Sequence, residues 1–238
     1  MMELAHEPDP VTGQAVGKLV DVKPATRPGP VVIEGRFGRT ERLDPARHGE
    51  DIWNAVKDDA TLWAYMGYGP FANRAAFDAW LAKHAATEDP YAYAIIDKNN
   101  RAVGITTLME IRPLARVIET GNILYSPALQ RTPLATEAQF LMARYAFDTL
   151  GNRRYEWKCN ALNAPSRRAA ARYGFTFEGI FRQHMIIKGR NRDTAWFSMI
   201  DSEWPSRKAA FESWLSPDNF DADGRQKASL ADMMGVKV

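Results

Sequence analysis

Residues 122–175 constrain the chain most, because two apolar strand patterns alternate there with two capped helix patterns. Ile123, Leu124 and Tyr125 form an apolar run that Ser126-Pro127 ends. Thr132 and Pro133 then supply an N-cap and a first helical residue. From there Leu134, Ala138, Leu141, Met142, Tyr145, Ala146 and Leu150 follow a helical period, which Gly151 stops. Residues 154–159 read as a second strand, and Asn163-Ala164-Pro165-Ser166 opens a second helix closed by Tyr173-Gly174. Strand, loop, helix, strand, helix is a unit that aims helix N-termini at an anion.

The flanking chain supplies the partners for such a unit. Residues 31–43 alternate as a strand hairpin, and Asp44-Pro45 caps a helix through Ile52, Trp53 and Val56. A second helix spans residues 73–86, with Phe77, Trp80 and Leu81 on one side. Strands follow at 91–97, 102–109 and 117–124, the first two joined by the turn Asp97-Lys98-Asn99-Asn100. Another hairpin pairs 177–187 with 194–200 around the turn 188–191, whose basic residues read as a solvated tip. This order predicts an α+β fold: a mixed, mostly antiparallel sheet flanked by helices, with one parallel junction at which strands splay.

Three regions follow: an extended N-terminal arm over 1–30, broken by Pro8, Pro10, Pro24, Pro28 and Pro30; a domain over 31–204; and residues 205–238. The last region is expected to pack on the domain as a C-terminal helix, over 205–215, and a tail. Its polar residues beyond Ser216 are expected to be loosely ordered.

Composition bounds the function classes. A net charge of +2 makes no case for a polyanion partner, so nucleic-acid binding is not expected. The single Cys159 excludes an internal disulfide and fits a reducing, cytoplasmic setting. The N-terminal residues lack the basic segment and apolar core of a signal peptide, and no apolar run reaches the ~20 residues of a membrane helix. No membrane partner and no metal are expected.

The unit at 122–175 resembles the acyl-coenzyme A-binding core of the GNAT-superfamily N-acetyltransferases, nearest to the branch that acetylates N-termini of ribosomal proteins. Residues 130–135 (Gln-Arg-Thr-Pro-Leu-Ala) occupy the superfamily's Q/R-x-x-G-x-G/A loop, and Asn163, Ser166, Gly174 and Phe175 match the branch's Asn-x-x-Ser and Gly-Phe. The likeness runs from about Val31 to Trp204. It implies acetyl-CoA as co-substrate, with pantetheine against the backbone of Leu124, Tyr125 and Ser126. The diphosphate would meet Gln130, Arg131, Thr132, Leu134, Ala135 and Thr136, and Asn163 would cap its helix and hold pantetheine. Many relatives in this branch pair, which suggests a homodimer using the arm and the apolar residues Phe211, Trp214 and Leu215.

Three positions depart from the pattern. Pro133 replaces the first loop glycine and removes one backbone donor. Ala170 stands where many members place a proton-donating tyrosine, and Met185 where the branch places a glutamate. Thr132, Leu134, Ala135 and Thr136 are expected to keep backbone donors for the diphosphate.

The implied chemistry is attack of a primary amine on a thioester. Ser166 either donates to the leaving sulfur or caps its own helix. His184 is a candidate base by pKa class, Glu119 is another, and water is a third. Tyr65, Tyr68 and Phe71, in a loop dense in rings between the first two helices, are candidates to border the acceptor; Trp63 reads as core. An α-amine, with pKa ~7.7–8.0, is about a tenth neutral at pH 7, whereas lysine is below about one part in a thousand. A site without a strong base therefore suits a protein N-terminus or an amino-acid-like amine. Two alternatives stand beside the enzyme: an acyl-CoA-binding module without turnover, and a ribosome- or RNA-associated protein.

Overall fold

The computed structural model describes residues 5–236. Period-two patterns and helix caps account for most of its elements. The strands are β1 (His6–Pro8), β2 (Ala15–Gly17), β3 (Val32–Glu34), β4 (Gly38–Arg42), β5 (Tyr91–Asp97), β6 (Ala102–Arg112), β7 (Val117–Tyr125), β8 (Arg154–Asn160), β9 (Thr176–Ile187) and β10 (Arg190–Ile200). The helices are α1 (Pro45–Val56), α2 (Arg74–Ala86), α3 (Pro133–Arg144), α4 (Ala164–Arg172), α5 (Trp204–Leu215) and α6 (Leu230–Met234). Asp44, Asn73, Thr132 and Asn163 each accept a backbone N–H of the helix they open.

β3 to β10 form one eight-stranded sheet in the order β3-β4-β5-β6-β7-β8-β10-β9. Within this sheet only β7 and β8 pair in parallel, in register from Val117–Arg154 to Thr120–Trp157. Past Thr120 and Trp157 both strands continue without pairing to each other, so the sheet opens there. The sheet is mixed, mostly antiparallel and splayed at its one parallel junction, as the order of elements predicts.

Helices cover both faces. On the front, α1 and α2 bring Ile52, Phe77 and Leu81 onto Ala92, Ala94, Ile105 and Leu124. On the back, α3, α4 and α5 bury Tyr93, Ile118, Tyr155, Trp157 and Phe197. Alternation along a strand sends neighbours to opposite faces. Glu119 and Lys158 therefore face front, and Thr120, Trp157 and Cys159 face back.

Four expectations need correction. The N-terminal arm is not featureless: β1 and β2 pair as a small hairpin, and the segment beyond it is tied down by Ala25 N–H to Pro113 O (3.0 Å) and Thr26 N–H to Leu150 O (2.8 Å). The turn between β9 and β10 is Lys188-Gly189 alone, both at positive φ (49° and 71°), the geometry of a two-residue hairpin turn. The tip is exposed, as expected, while the Lys188 Nζ reaches back to donate to Trp63 O at 2.8 Å. The tail beyond Ser216 is folded on the domain: Phe220 bridges Gln226, and α6 buries Leu230 and Met234. Phe211, Trp214 and Leu215 of α5 are buried in the chain's own core and offer no apolar face to a second copy. Among the described residues no helix is long and apolar enough to cross a membrane.

Candidate active site

The splay between β7 and β8 joins the two faces of the sheet. Glu119 lies one residue before the last paired position of β7 and is 1% exposed. Lys158 of β8 brings its Nζ to 3.0 Å from Glu119 Oε2 and 3.1 Å from Glu110 Oε1. The approach to Glu119 is off the line of a hydrogen bond, so Oε2 keeps a buried, unfilled accepting position. Burial pushes the Glu119 carboxyl up to about 7, with Lys158 pulling in the opposite direction. Glu119 is therefore a carboxylate able to take and release a proton near neutrality.

β7 bulges immediately after this point. Asn122 has φ of 48°, and the register with β6 shifts between Ile105–Leu124 and Thr107–Gly121. The Asn122 side chain is held by donation to Thr107 Oγ1 (3.3 Å) and by acceptance from Tyr68 Oη (3.3 Å). Gly121 is required by a close approach: a Cβ there would stand 2.4 Å from Met109 Sδ.

On the back face, α4 sets Ser166 against β8. Ser166 N–H donates to Asn163 Oδ1 (3.1 Å), and Ser166 Oγ accepts from the Trp157 indole N–H (3.0 Å). The Ser166 hydroxyl also lies beside the Cys159 thiol, on which its hydrogen bonding acts against burial. Cys159, two residues along the same face as Trp157, has its thiol pushed up by burial and is no ready nucleophile.

The start of α3 faces a cavity of about 550 Å³ whose lining includes Arg131, Pro133, Thr136, Arg172, Trp214 and Arg225. Among the described residues Arg131 and Arg172 form no ion pair; Arg172 donates to Thr136 Oγ1 at 3.0 Å.

Residues 42–176 match the acetyltransferase (GNAT) domain family. The chain belongs to the GNAT family. A GCN5-related N-acetyltransferase from Brucella melitensis is 49% identical, with TM-score 0.87, over 90% of this chain and 98% of that one. A GNAT-family acetyltransferase structure from Chromobacterium violaceum is 39% identical, with TM-score 0.76, over 83% and 100%. The ribosomal L7/L12 α-N-protein acetyltransferase RimL is 19% identical over 71% of this chain and 94% of its own, with TM-score 0.62, and shares the fold. No curated protein gave a match. GNAT acetyltransferases use acetyl-CoA, and this member is an acetyltransferase by family.

In this GNAT chain the expected donor loop is more internally bonded than its sequence suggests. Gln130 commits its amide to Tyr125 O (3.0 Å), and Ser126 N–H donates to Val103 O (3.3 Å). Of the N–H groups at the helix start, Thr132's goes to Leu129 O, Ala135's to Thr132 Oγ1, and Thr136's lies beyond the unpaired set. Pro133 has none, which leaves Leu134's as the free one. Leu124 and Ser126 are buried, and half-buried Tyr125 is anchored by its Oη, which accepts from Gln139 (2.7 Å).

His184 lies on β9, two strands beyond β8, with Nδ1 3.0 Å from Thr194 Oγ1. Trp196 of the intervening strand is 6.0 Å from its ring and 5.3 Å from Lys158 Nζ. His184 thus shares the front face with Glu119 but is not brought beside it.

The aromatic loop divides. Trp63 is core, at 3% exposure, and Phe71 packs on Trp63 and Trp80 at 5.2 and 5.1 Å. Gly69, at φ of 63°, is fixed there because a Cβ would stand 2.5 Å from the Trp63 ring. Tyr68 reaches Asn122, and Tyr65 Oη donates to Leu162 O (3.2 Å). Together with Lys188, these contacts tie the loop to β7, to the β8–α4 connection and to the β9–β10 turn.

Sequence reading missed Lys158, Arg172 and Arg225. For Lys158 a signal existed: Glu156 and Lys158 alternate with Tyr155, Trp157 and Cys159, which marks a charged row on one face of a central strand. Arg172 and Arg225 carry no comparable local signal.

Proposed function

We propose that this protein transfers an acetyl group from acetyl-CoA to a primary amine, a protein N-terminus or a small amino-acid-like amine, with Glu119 as general base. The carrying observation is the buried Glu119 carboxyl, at about 7, beside the point where β7 and β8 part. The residues present fit the donor: a basic cavity stands at the start of α3, and the splay opens between the two strands. Arg131, Arg172 and the Leu134 N–H would hold phosphate, and the edges of β7 and β8 past the splay would hold the pantetheine amides. Bound acetyl-CoA supplies an activated carbonyl and a thiolate leaving group.

The chain's own part is proton handling and placement. Glu119 accepts the proton released by the amine, and Lys158 lowers its pKa against the larger rise from burial. The match is best for an α-amine, whose own pKa of ~7.7–8.0 lies close to that of the base. Ser166, its oxygen already accepting from Trp157, would turn its O–H to the departing sulfur, which needs a donor. Tyr65 and Tyr68 border the acceptor side. The free, buried Cys159 supports a reducing, cytoplasmic setting.

The test is incubation with acetyl-CoA and a panel of peptides and amino-acid-like amines, read by mass spectrometry. Acetylation of an α-amine that is lost in Glu119→Gln supports the reading. No acetylated product with any amine, from a protein that binds acetyl-CoA, would leave a binding module instead.

A further inference from the structure

The tail segment 220–226 lies outside residues 42–176, yet it walls the basic cavity at the start of α3. Its shape is fixed. Asp221 Oδ1 accepts from the backbone N–H groups of Asp223 (3.0 Å) and Arg225 (2.8 Å), and Asp221 N–H donates to Arg225 O (2.9 Å). The turn is also clamped to the domain. Trp214 Nε1 donates to Gln226 Oε1 (2.8 Å), Asn219 donates to Trp214 O (3.0 Å), and Phe220 packs on Phe37 at 5.6 Å.

Arg225 is thereby carried on a rigid turn to a cavity that already holds Arg131 and Arg172. The three come from the α3 entrance, the end of α4 and the tail. Their only acidic neighbour within ion-pair reach, among the described residues, is Asp223, 4.0 Å from Arg225, and both of those side chains are largely exposed. Three guanidinium groups around one cavity repel one another unless an anion joins them, and a guanidinium fork fits phosphate oxygens in pairs. Trp214 and Phe220 add ring surface to the same cavity.

We infer that the turn at 220–226 is a phosphate-recognition arm of the donor site, in which Arg225 binds the 3′-phosphate at the nucleotide end of acetyl-CoA. The inference rests on the acetyl-CoA reading above. It assigns to the tail a role in choosing donors that carry that phosphate.

The experiment is calorimetric titration of CoA and of dephospho-CoA, which lacks the 3′-phosphate, into the full chain and into Arg225→Ala and Arg225→Lys. Wild type should bind CoA about five- to thirty-fold more tightly than dephospho-CoA, the range of one charge-assisted contact at an exposed position. Arg225→Ala should lose that preference, and Arg225→Lys should keep part of it. Arg225 is exposed, so these variants leave the fold intact. Equal preference in wild type and Arg225→Ala would overturn the role of the tail while leaving acetyl-CoA binding in place. Failure of wild type to bind CoA at all would overturn both.

Discussion

Lys158 Nζ stands 3.0 Å from Glu119 Oε2 where β7 and β8 part, Glu119 one residue before the last paired position and Lys158 one residue past it. The two residues are brought together by the single parallel register of the sheet. An ionised carboxylate at 1% exposure is unfavourable without a partner, and Lys158 only partly offsets that cost. The result is a base poised near pH 7.

Glu119→Gln should therefore lower kcat/KM by roughly a hundred- to ten-thousand-fold, the usual range for a general base. The wild-type profile should rise with pH through about 7, and the variant should lose that limb. A retained limb at the same pH would assign it to the amine alone and remove Glu119 from the base role.

The same residue predicts a stability effect of definite sign. The folded-state pKa of Glu119 is raised, so its protonated form is favoured in the native protein. That contribution is full below the unfolded value of ~4.3 and is lost as pH rises through about 7. Glutamine mimics the protonated acid and does not titrate. The difference in Tm between Glu119→Gln and wild type should grow in favour of the variant from pH 5 to pH 8. Parallel Tm curves across that range would show that Glu119 is not held protonated by burial.

Lys158→Met tests the other half of the pair. Removing the ammonium removes the influence that lowers the Glu119 pKa, so the rising limb should move to higher pH. An unmoved limb, with a folded variant, would mean that Lys158 does not tune the base.

How much of this could be read from the chain follows from the range of each interaction. Asp44, Thr132 and Asn163 were legible as caps because a cap is decided within three residues. The strand-to-helix unit was legible for the same local reason. The Glu119–Lys158 pair was not, since it depends on the register of two strands separated by a helix. Gln130 misled in a related way: its side chain turns back to Tyr125 O, which loop spacing alone does not reveal. The tail looked loose because its polar residues outnumber its anchors, yet Asn219, Leu230 and Met234 suffice to pin it.

Arg131→Glu should weaken acetyl-CoA binding by about ten- to a hundred-fold, through loss of one charge-assisted contact and addition of a like charge near phosphate. Arg131 is exposed and, among the described residues, forms no hydrogen bond or ion pair through its side chain, so folding should be unaffected. Unchanged affinity by calorimetry would place the donor's phosphates away from α3.

Ser166 joins two roles, and its test has to separate them. Its oxygen accepts from the Trp157 indole, so Ser166→Ala leaves a buried donor unpaired at a cost of about 1–3 kcal/mol in stability. In the proposed reaction its O–H is the donor to the leaving sulfur, and losing one transition-state hydrogen bond lowers a rate by roughly ten- to a thousand-fold. Ser166→Ala should thus show both a lower Tm and a lower kcat, with donor affinity nearly unchanged. Trp157→Phe removes the indole donor but leaves the serine hydroxyl in place. It should share the stability loss and keep most of the rate. Equal rate losses in the two variants would reduce Ser166 to a structural partner of Trp157. A slow Ser166→Ala beside an active Trp157→Phe would identify the hydroxyl as the group that acts on the leaving sulfur.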